Sequence, residues 1–507
     1  FSHIDNWMMQ EELPMLYNQY KITIPHVFVY NIELRGKDYI QVKQRDSSIH
    51  ATEREGSSAG GVSKDFTVSA QETTFTSRNL PAIRQDESYC WCPEDYKVQV
   101  SFDLQGTQFT PNEYKPYSQK WEDVDKQLLK PENTQFGEHL SLTNPFRPET
   151  KQAYNSEMNF EEKIICAFQV LKKKMAWNGR YQLYSKELEK VIKKGSGSNA
   201  DLNFILISIL KDFGLEAYPV VMSRRSSGML PYNFPSLQKL NTFFVAIHDI
   251  NKQKYVFLDS SMDVPAFNIL PLELSVNKAR MLSLKEKEEK KWVNVMALSH
   301  NKSFMKIDAR IEGNQVKGHR STVLYGQEAI EYQANENHKQ DNLVSNPENK
   351  VSQKEKLTVT NLKVKKQEND WALIEEEFDF VLQADRTDDH LYINPMLFPQ
   401  LKSNPFIQTE RVLPIEFPYP YKFTMLSTLT LPEGYEVEEL PQSQSIRSEG
   451  DGLQCKYMIQ QQGNTILLNY VFHLKGYIFL SEQYKQLQEL WAKVIEKNNA
   501  LIVLKKI

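Results

Sequence analysis

The sequence has few cysteines, no long apolar run and no excess of positive charge. Its four cysteines are too few for a disulfide scaffold. Cys90 and Cys92 are separated by one residue rather than the two typical of redox and zinc pairs, so we expect no metal site and no cofactor. No run reaches the roughly 18 apolar residues of a membrane-spanning helix. With 61 Lys and Arg against 65 Asp and Glu, nucleic acid is not an expected partner.

The length and composition of the chain indicate a multidomain globular protein. At 507 residues it exceeds one hydrophobic core, and about 150 residues per domain suggests roughly three domains. The 40% hydrophobic and 25% charged residues are ordinary for folded proteins. The chain begins at Phe1 rather than Met, so we expect processing or truncation to have removed residues before it. The four cysteines do not indicate whether the protein works in an oxidising or a reducing compartment.

The first 150 residues are expected to form strands. Apolar and polar residues alternate from Tyr96 to Leu104, which is typical of a strand with one buried face. Glycine and serine dominate residues 55–63 and predict a mobile loop. We interpret residues 1–150 as an antiparallel β-sandwich domain, incomplete at its N-terminus, followed by a polar connector from Pro145 to Glu157.

Helical periodicity appears in the middle of the chain. Apolar residues recur at three and four positions from Glu161 to Met175, which predicts an amphipathic helix. A second helix, apolar nearly all round, is predicted from Ala200 to Phe213, with Gly214 as its stop signal. Strands are predicted at three following segments: 217–221, 242–247 and 255–258. We interpret residues 151–290 as an α+β core domain.

Strand signals return after a boundary that we place in the mixed-charge run at residues 284–291. Apolar residues alternate from Leu468 to Leu474. The polar stretch 333–356 is expected to be an exposed insertion, and residues 481–496 are expected to form a last helix. We interpret residues 291–507 as a C-terminal β-sandwich with a terminal helix, in a chain whose fold class is multidomain α+β.

The middle of the chain resembles the core of transglutaminase-like cysteine enzymes, also called papain-like. In that family Gly-x-Cys-x-Asp opens the central helix, and this chain has Gly-Ser-Asn-Ala-Asp at 197–201. Residues 240–243 resemble the family's histidine strand, and residues 255–259 resemble its aspartate strand. The resemblance implies a cysteine nucleophile whose pKa is lowered at a helix N-terminus, a histidine base and an orienting aspartate.

The flanking parts resemble the same family. Residues 79–83 are similar to the β-rich domain that precedes the core in a bacterial exported subgroup, and residues 431–435 with the closing helix are similar to the domain that follows it. This resemblance implies an exported protein, either periplasmic or at the cell surface.

The reactive residues of the family are replaced. Asn199 stands at the cysteine position and Thr242 at the histidine position, and only Asp259 agrees. An amide cannot become a thiolate, and a threonine hydroxyl is no base near neutral pH. A one-residue shift restores neither group, and His248 lies on the order of 20 Å along the strand from Thr242. We expect Asn199, Thr242 and Asp259 to be degenerate triad positions, with no catalytic residue intact.

Three functional hypotheses follow from these residues. The first is a catalytically degenerate protein that binds a peptide, protein or glycan in its central cleft, or acts in assembly at the bacterial envelope. The second is an active protease or amide-acyl hydrolase with a nonstandard nucleophile, such as Ser198, which can equally be a helix N-cap. The third is a structural spacer, indicated if side chains fill the cleft. Cys166 is expected to be a buried, inert thiol.

Overall fold

The computed structural model describes most of the chain in two compact units. The described residues are 4–55, 62–109, 113–116, 120–130, 135–185, 187–230, 235, 237–298, 300–342, 351–352, 357–367 and 370–507. Unit 1 comprises residues 1–138, 223–241 and 283–285, and unit 2 comprises residues 139–222, 242–282 and 286–507. The predicted boundaries near residues 150 and 290 stay predictions. The predicted loop tip at 56–61 lies outside the described residues.

The first 140 residues are mostly strands. Their elements are β1 (Trp7–Met8), β2 (Met15–Pro25), β3 (Phe28–Arg35), β4 (Gln41–Glu55), β5 (Val62–Leu80), β6 (Gln99–Gln108), β7 (Tyr114–Pro116), α1 (Trp121–Leu129) and α2 (Gln135–Leu140). The strand predicted from Tyr96 begins later, at Gln99, because Pro93–Tyr96 forms a 3-10 turn.

Two antiparallel sheets in unit 1 contribute to one hydrophobic cluster. One sheet has the strand order β2-β5-β4, and the other has β1-β6-β3 with β7 also paired to β6. Phe75 of β5 packs with Val100 and Phe102 of β6, and the Phe75 and Phe102 ring centroids are 6.1 Å apart in an edge-on arrangement. The alternation of apolar residues in β6 therefore places its buried side chains against the second sheet.

The next part of the chain contains helices and short strands. It belongs to unit 2, except for residues 223–241 and 283–285, which belong to unit 1. Its elements are α3 (Arg147–Ala153), α4 (Phe160–Lys174), β8 (Ala176–Trp177), α5 (Leu188–Lys194), β9 (Ser196–Gly197), α6 (Asn199–Asp212), β10 (Glu216–Met222), β11 (Thr242–Asp249), β12 (Lys254–Leu258), β13 (Ala279–Met281), α7 (Glu288–Lys291) and β14 (Trp292–Val293). The predicted connector at 145–157 therefore contains a helix, with Pro148 in its first turn.

Helix α6 is the buried helix of this region. It packs against α4 and against strands β10 and β11 of an antiparallel sheet with the order β12-β11-β10-β13-β14. Every residue from Asn199 to Leu210 is buried. The helix ends at Asp212, and Gly214 follows with φ of +73°, where its left-handed conformation lets the chain turn into β10. The predicted helix and strands are present within one or two residues of their expected ends.

The C-terminal part of unit 2 is dominated by long strands. Its elements are β15 (Asn301–Glu312), β16 (Gln315–Tyr325), α8 (Gln327–Asn342), β17 (Val351–Ser352), β18 (Leu357–Gln367), β19 (Asp370–Gln383), β20 (Asp385–Arg386), β21 (His390–Ile393), β22 (Ile415–Glu416), β23 (Tyr421–Thr430), β24 (Tyr435–Glu439), β25 (Gln444–Arg447), β26 (Leu453–Gln462), β27 (Thr465–Leu474), β28 (Ile478–Phe479), α9 (Tyr484–Asn498) and β29 (Ile502–Lys506). The described start of the predicted polar insertion at 333–356 is helical.

A nine-stranded sheet organises these elements, in the order β17-β18-β19-β16-β15-β23-β27-β26-β25. All its neighbours are antiparallel except β15 and β23, which pair in parallel from Asn301 with Tyr421 to Arg310 with Thr430. Strand β27 alternates as predicted, with Leu468, Tyr470 and Phe472 buried. The sheet thus consists of two antiparallel ribbons joined at one parallel seam.

Helix α9 contributes Trp491 to an aromatic cluster with Phe406 and Phe417. The predicted helix at 481–496 is present as α9, preceded by a 3-10 turn over Ser481–Gln483. Trp491 lies 5.2 Å from Phe406 edge-on and 5.5 Å from Phe417 in a stacked arrangement, measured between ring centroids. Across the described parts of the chain, no helix is both long and apolar enough to cross a membrane.

Candidate functional site

The start of helix α6 is held by its own side chains. Ser198 is the N-cap: its Oγ accepts a hydrogen bond from the backbone N–H of Asp201 at 3.3 Å. The Asp201 carboxylate in turn accepts bonds from the Ser198 backbone N–H at 2.8 Å and from its hydroxyl at 2.7 Å. This reciprocal capping box satisfies helix-terminal N–H groups, and it occupies the Ser198 hydroxyl.

Asn199 and Thr242 are in direct contact. The Asn199 amide Nδ2 donates to Thr242 Oγ1 at 2.7 Å and to the carbonyl oxygen of Phe243 at 3.0 Å. Its Oδ1 accepts a bond from the backbone N–H of Gln182 at 3.0 Å. Asn199 and Thr242 are both completely buried. The first residue of α6 and the first residue of β11 are therefore joined by a neutral side-chain hydrogen bond.

Asn203 connects the helix to Asp259, and sequence reasoning missed it. Its Nδ2 donates to Asp259 Oδ2 at 2.8 Å and to the Phe243 carbonyl oxygen at 2.8 Å. Its Oδ1 accepts bonds from the backbone N–H of Ser260 at 3.0 Å and from the Ser260 hydroxyl at 2.5 Å. A signal was present, because an amide four residues after Asn199 lies on the same face of an otherwise apolar helix.

Asp259 is a buried carboxylate at the end of β12. One oxygen accepts bonds from the backbone N–H of Ser261, at 2.9 Å, and from the Ser261 hydroxyl. Burial raises the pKa of Asp259, while hydrogen bonds from Ser261, Asn203 and Asn199 act in the opposite direction. Burial also lowers the pKa of Lys172 on α4, and the negative charges of Asp263 and Asp259 oppose that lowering.

The three predicted positions thus meet at the start of α6, the start of β11 and the end of β12. Asn199 donates a hydrogen bond to Thr242 and another to the Phe243 carbonyl oxygen. The Asn203 amide donates to the same carbonyl oxygen and to Asp259, and so connects the Asn199–Thr242 pair to Asp259. The groups that meet are a primary amide, a hydroxyl and a carboxylate. No thiol, imidazole or amine is among them, so these three positions hold neither the nucleophile nor the base that the sequence resemblance implies.

The remaining candidate residues lie apart from this network. His248, near the far end of β11, pairs with Glu216 at 3.5 Å between Nδ1 and Oε2 and stacks on Tyr255. Cys166 is half-buried rather than buried as expected; its thiol donates to the carbonyl oxygen of Ala153 at 3.6 Å, and burial raises its pKa. Cys90 and Cys92 are not bridged. Within the described ranges, no group of three His, Cys, Asp or Glu side chains could hold a metal ion.

Nearly the whole chain is similar in fold to a solved structure. The crystal structure of a "putative protease" from Parabacteroides distasonis ATCC 8503 is 13% identical, with a TM-score of 0.51, covering 99% of this chain and 74% of that one. A "Putative Cysteine Protease" from Cytophaga hutchinsonii is 11% identical, with a TM-score of 0.17, over 49% of this chain and 80% of that one. The second score is too low to carry an argument.

Residues 389–504 match the family described as a "Domain of Unknown Function with solved-structure structure (DUF3858)". No curated protein matches the chain. At 13% identity, the comparison with the Parabacteroides protein shows a shared multidomain fold rich in β-sheets and nothing about activity. The function must therefore be argued from the side chains of this chain.

Proposed function

We propose that the chain is a catalytically degenerate transglutaminase-like protein with a binding or assembly role at the bacterial envelope. The observation that carries the proposal is the hydrogen bond from Asn199 Nδ2 to Thr242 Oγ1, at 2.7 Å. It joins the two positions at which the sequence resemblance expects a thiol and an imidazole. An amide and a hydroxyl at these positions can form a hydrogen bond but cannot exchange a proton for nucleophilic attack.

Burial of the network supports a structural role for these side chains. Asn199 and Thr242 are fully buried, and Asp259 is 1% exposed. The neutral Asn199 amide and Thr242 hydroxyl, bonded to each other, can be buried at low cost, whereas an ionised thiolate and imidazolium pair would need compensation. A peptide, protein or glycan partner would therefore contact residues around the start of α6 and not these three side chains. Export rests on the sequence resemblance alone.

The alternative of an active hydrolase needs a nucleophile, and no contact of Ser198 favours it. Ser198 is 1% exposed, and its hydroxyl is engaged with Asp201 in the capping box. A serine nucleophile needs a base that can take its proton and an approach for the substrate. The short Ser198–Asp201 contact provides a helix cap, and its acceptor is a carboxylate within the same turn of helix.

The test is an activity measurement on the whole chain. Purified protein is incubated with glutamine-containing peptides, amide substrates and a fluorescent amine, and hydrolysis and crosslinking are followed by mass spectrometry. We expect no turnover above that of the heat-denatured protein. Turnover that survives purification and disappears in Ser198→Ala, while persisting in Ser208→Ala, would refute the proposal. Ser208 is a matched control because it is a buried serine of the same helix, bonded to the Ile205 carbonyl oxygen at 2.7 Å.

A further inference from the structure

Two adjoining cavities lie in the C-terminal part of unit 2. Their volumes are about 190 and 280 Å³, and four residues line both of them: Glu328, Gln400, Tyr419 and Phe423. Together they reach the lower part of the ~300–1,000 Å³ range of small-ligand pockets. Neither cavity is lined by Asn199, Thr242 or Asp259. This paired cavity is therefore a separate candidate site.

The two halves of the paired cavity differ in chemistry. The smaller one is walled mainly by apolar and aromatic side chains, including Phe417, Tyr421 and Leu474. The larger one adds the carboxylate of Glu331 and the phenol of Tyr332. Glu331 and Gln400 are exposed, so the larger half opens to solvent. A ligand entering there would meet acidic groups beside an aromatic wall.

Glu328 stands where the two halves join. Its Oε2 is buried and has no hydrogen-bond partner among the described residues, while Ser303 bonds the side chain. Burial raises the pKa of Glu328, and the negative charge of Glu331 raises it further. Within the described part of the chain, no Lys or Arg forms an ion pair with either glutamate. The paired cavity therefore holds two carboxylates without a compensating cation.

Tyr419 ties the aromatic wall to the carboxylates. Its hydroxyl donates to Glu331 Oε1 at 3.3 Å. Burial raises the pKa of Tyr419, and the negative charges of Glu331 and Glu328 add to the effect. Glu328 and Glu331 are three residues apart on α8 and so lie on neighbouring positions of one helix face.

We propose that the paired cavity binds a cationic ammonium group carried on an apolar stem, which is the chemistry of a lysine side chain or of an aliphatic diamine. An ammonium placed between the two carboxylates would supply the missing positive charge and donate to the unpartnered oxygen. The aromatic wall would pack against the methylene stem, and a ring face attracts a cation. A neutral ligand would leave both carboxylates uncompensated.

The site is tested by calorimetric titration of the full chain with three probes. They are Nα-acetyl-lysine methylamide, its Nε-acetylated counterpart and 1,5-diaminopentane. We expect the charged lysine probe to bind at least about tenfold more tightly than the neutral one, and less tightly as salt is added. Binding of only one charged probe identifies the source of the ammonium. Equal binding of the charged and neutral lysine probes, or no binding of either charged probe, would overturn the proposal.

Variants locate the binding. Glu328→Gln and Tyr419→Leu should each weaken binding of the charged probe by about tenfold, whereas Tyr419→Phe, which keeps the ring, should change it less than threefold. Glu482→Gln is the control, since Glu482 is an exposed glutamate that lines neither cavity and also begins a helical segment. Full affinity in both folded cavity variants would refute the assignment. If a variant does not fold, the comparison of charged and neutral probes on the native chain decides.

Discussion

Asn203→Ala is expected to destabilise the fold more than any other single change in the network around α6. The substitution removes four hydrogen bonds: two donated by Nδ2, to Asp259 Oδ2 and the Phe243 carbonyl oxygen, and two accepted by Oδ1, from Ser260. Asn203 is completely buried, so water does not replace the lost partners without rearrangement. The Phe243 carbonyl keeps its bond from Asn199.

The magnitude follows from the groups that lose a partner. A hydrogen bond to a charged group contributes about 1.5–3 kcal/mol, and the Asp259 carboxylate loses one. The buried N–H and hydroxyl of Ser260 lose their shared acceptor, Asn203 Oδ1, at a cost of about 1–3 kcal/mol. The expected decrease in the free energy of unfolding is therefore roughly 3–5 kcal/mol, a large part of the ~5–15 kcal/mol of a typical domain.

The assay is urea unfolding followed by far-UV circular dichroism, with the free energy taken from the midpoint and slope. Asn251→Ala is the control, because Asn251 is an exposed asparagine in the turn between β11 and β12, and it should change stability by less than about 0.5 kcal/mol. A loss below about 1 kcal/mol for Asn203→Ala would refute the reasoning. It would mean that the network is not what holds α6 to β11 and Asp259.

Two further predictions concern the same region. Burial raises the pKa of Asp259 in the folded chain above its unfolded value of about 3.9. At low pH the carboxyl is therefore protonated in both the folded and the unfolded chain and does not affect stability. As the pH rises from about 4 through the raised pKa, the unfolded chain loses this proton more readily, so the free energy of unfolding decreases. The stability difference between wild type and Asp259→Asn should accordingly move in favour of the variant across that window, and a difference independent of pH would contradict the prediction. Ser198→Ala should lower the free energy of unfolding by about 0.5–2 kcal/mol through loss of the N-cap, measured by the same urea titration, and an unchanged midpoint would contradict it.

Local patterns in the sequence were sufficient to predict the elements that carry the site. Periodicity and Gly214 predicted α6, strand signals predicted β11, and alternation predicted β27. The resemblance assigned Asn199 to a helix start and Thr242 and Asp259 to strands, and in the structure they lie at the start of α6, at the start of β11 and directly after β12. The roles of Asn203 and Ser260 could not be predicted in the same way, since which polar groups pair in a core depends on tertiary placement.

Other differences have local causes. Pro145 and Pro148 suggested a connector, yet proline is favoured in the first turn of a helix, and Pro148 lies in the first turn of α3. The start of the polar stretch 333–356 is helical although its composition is too polar to show a clear apolar stripe. The paired cavity could not be predicted from the sequence, because its walls come from α8 and from strands and loops that are distant in the chain.

The parallel seam between β15 and β23 bears on how the chain reaches its native state. Asn301 pairs with Tyr421, 120 positions later, whereas each ribbon beside the seam is built mainly from hairpins. Closing a loop of that length costs about 4 kcal/mol of chain entropy beyond a constant, so we expect the ribbons to form before the seam. Until it closes, β15 and β23 each present an unpaired edge that a second chain could occupy. Aggregation during refolding should therefore be governed by the lifetime of that two-ribbon intermediate.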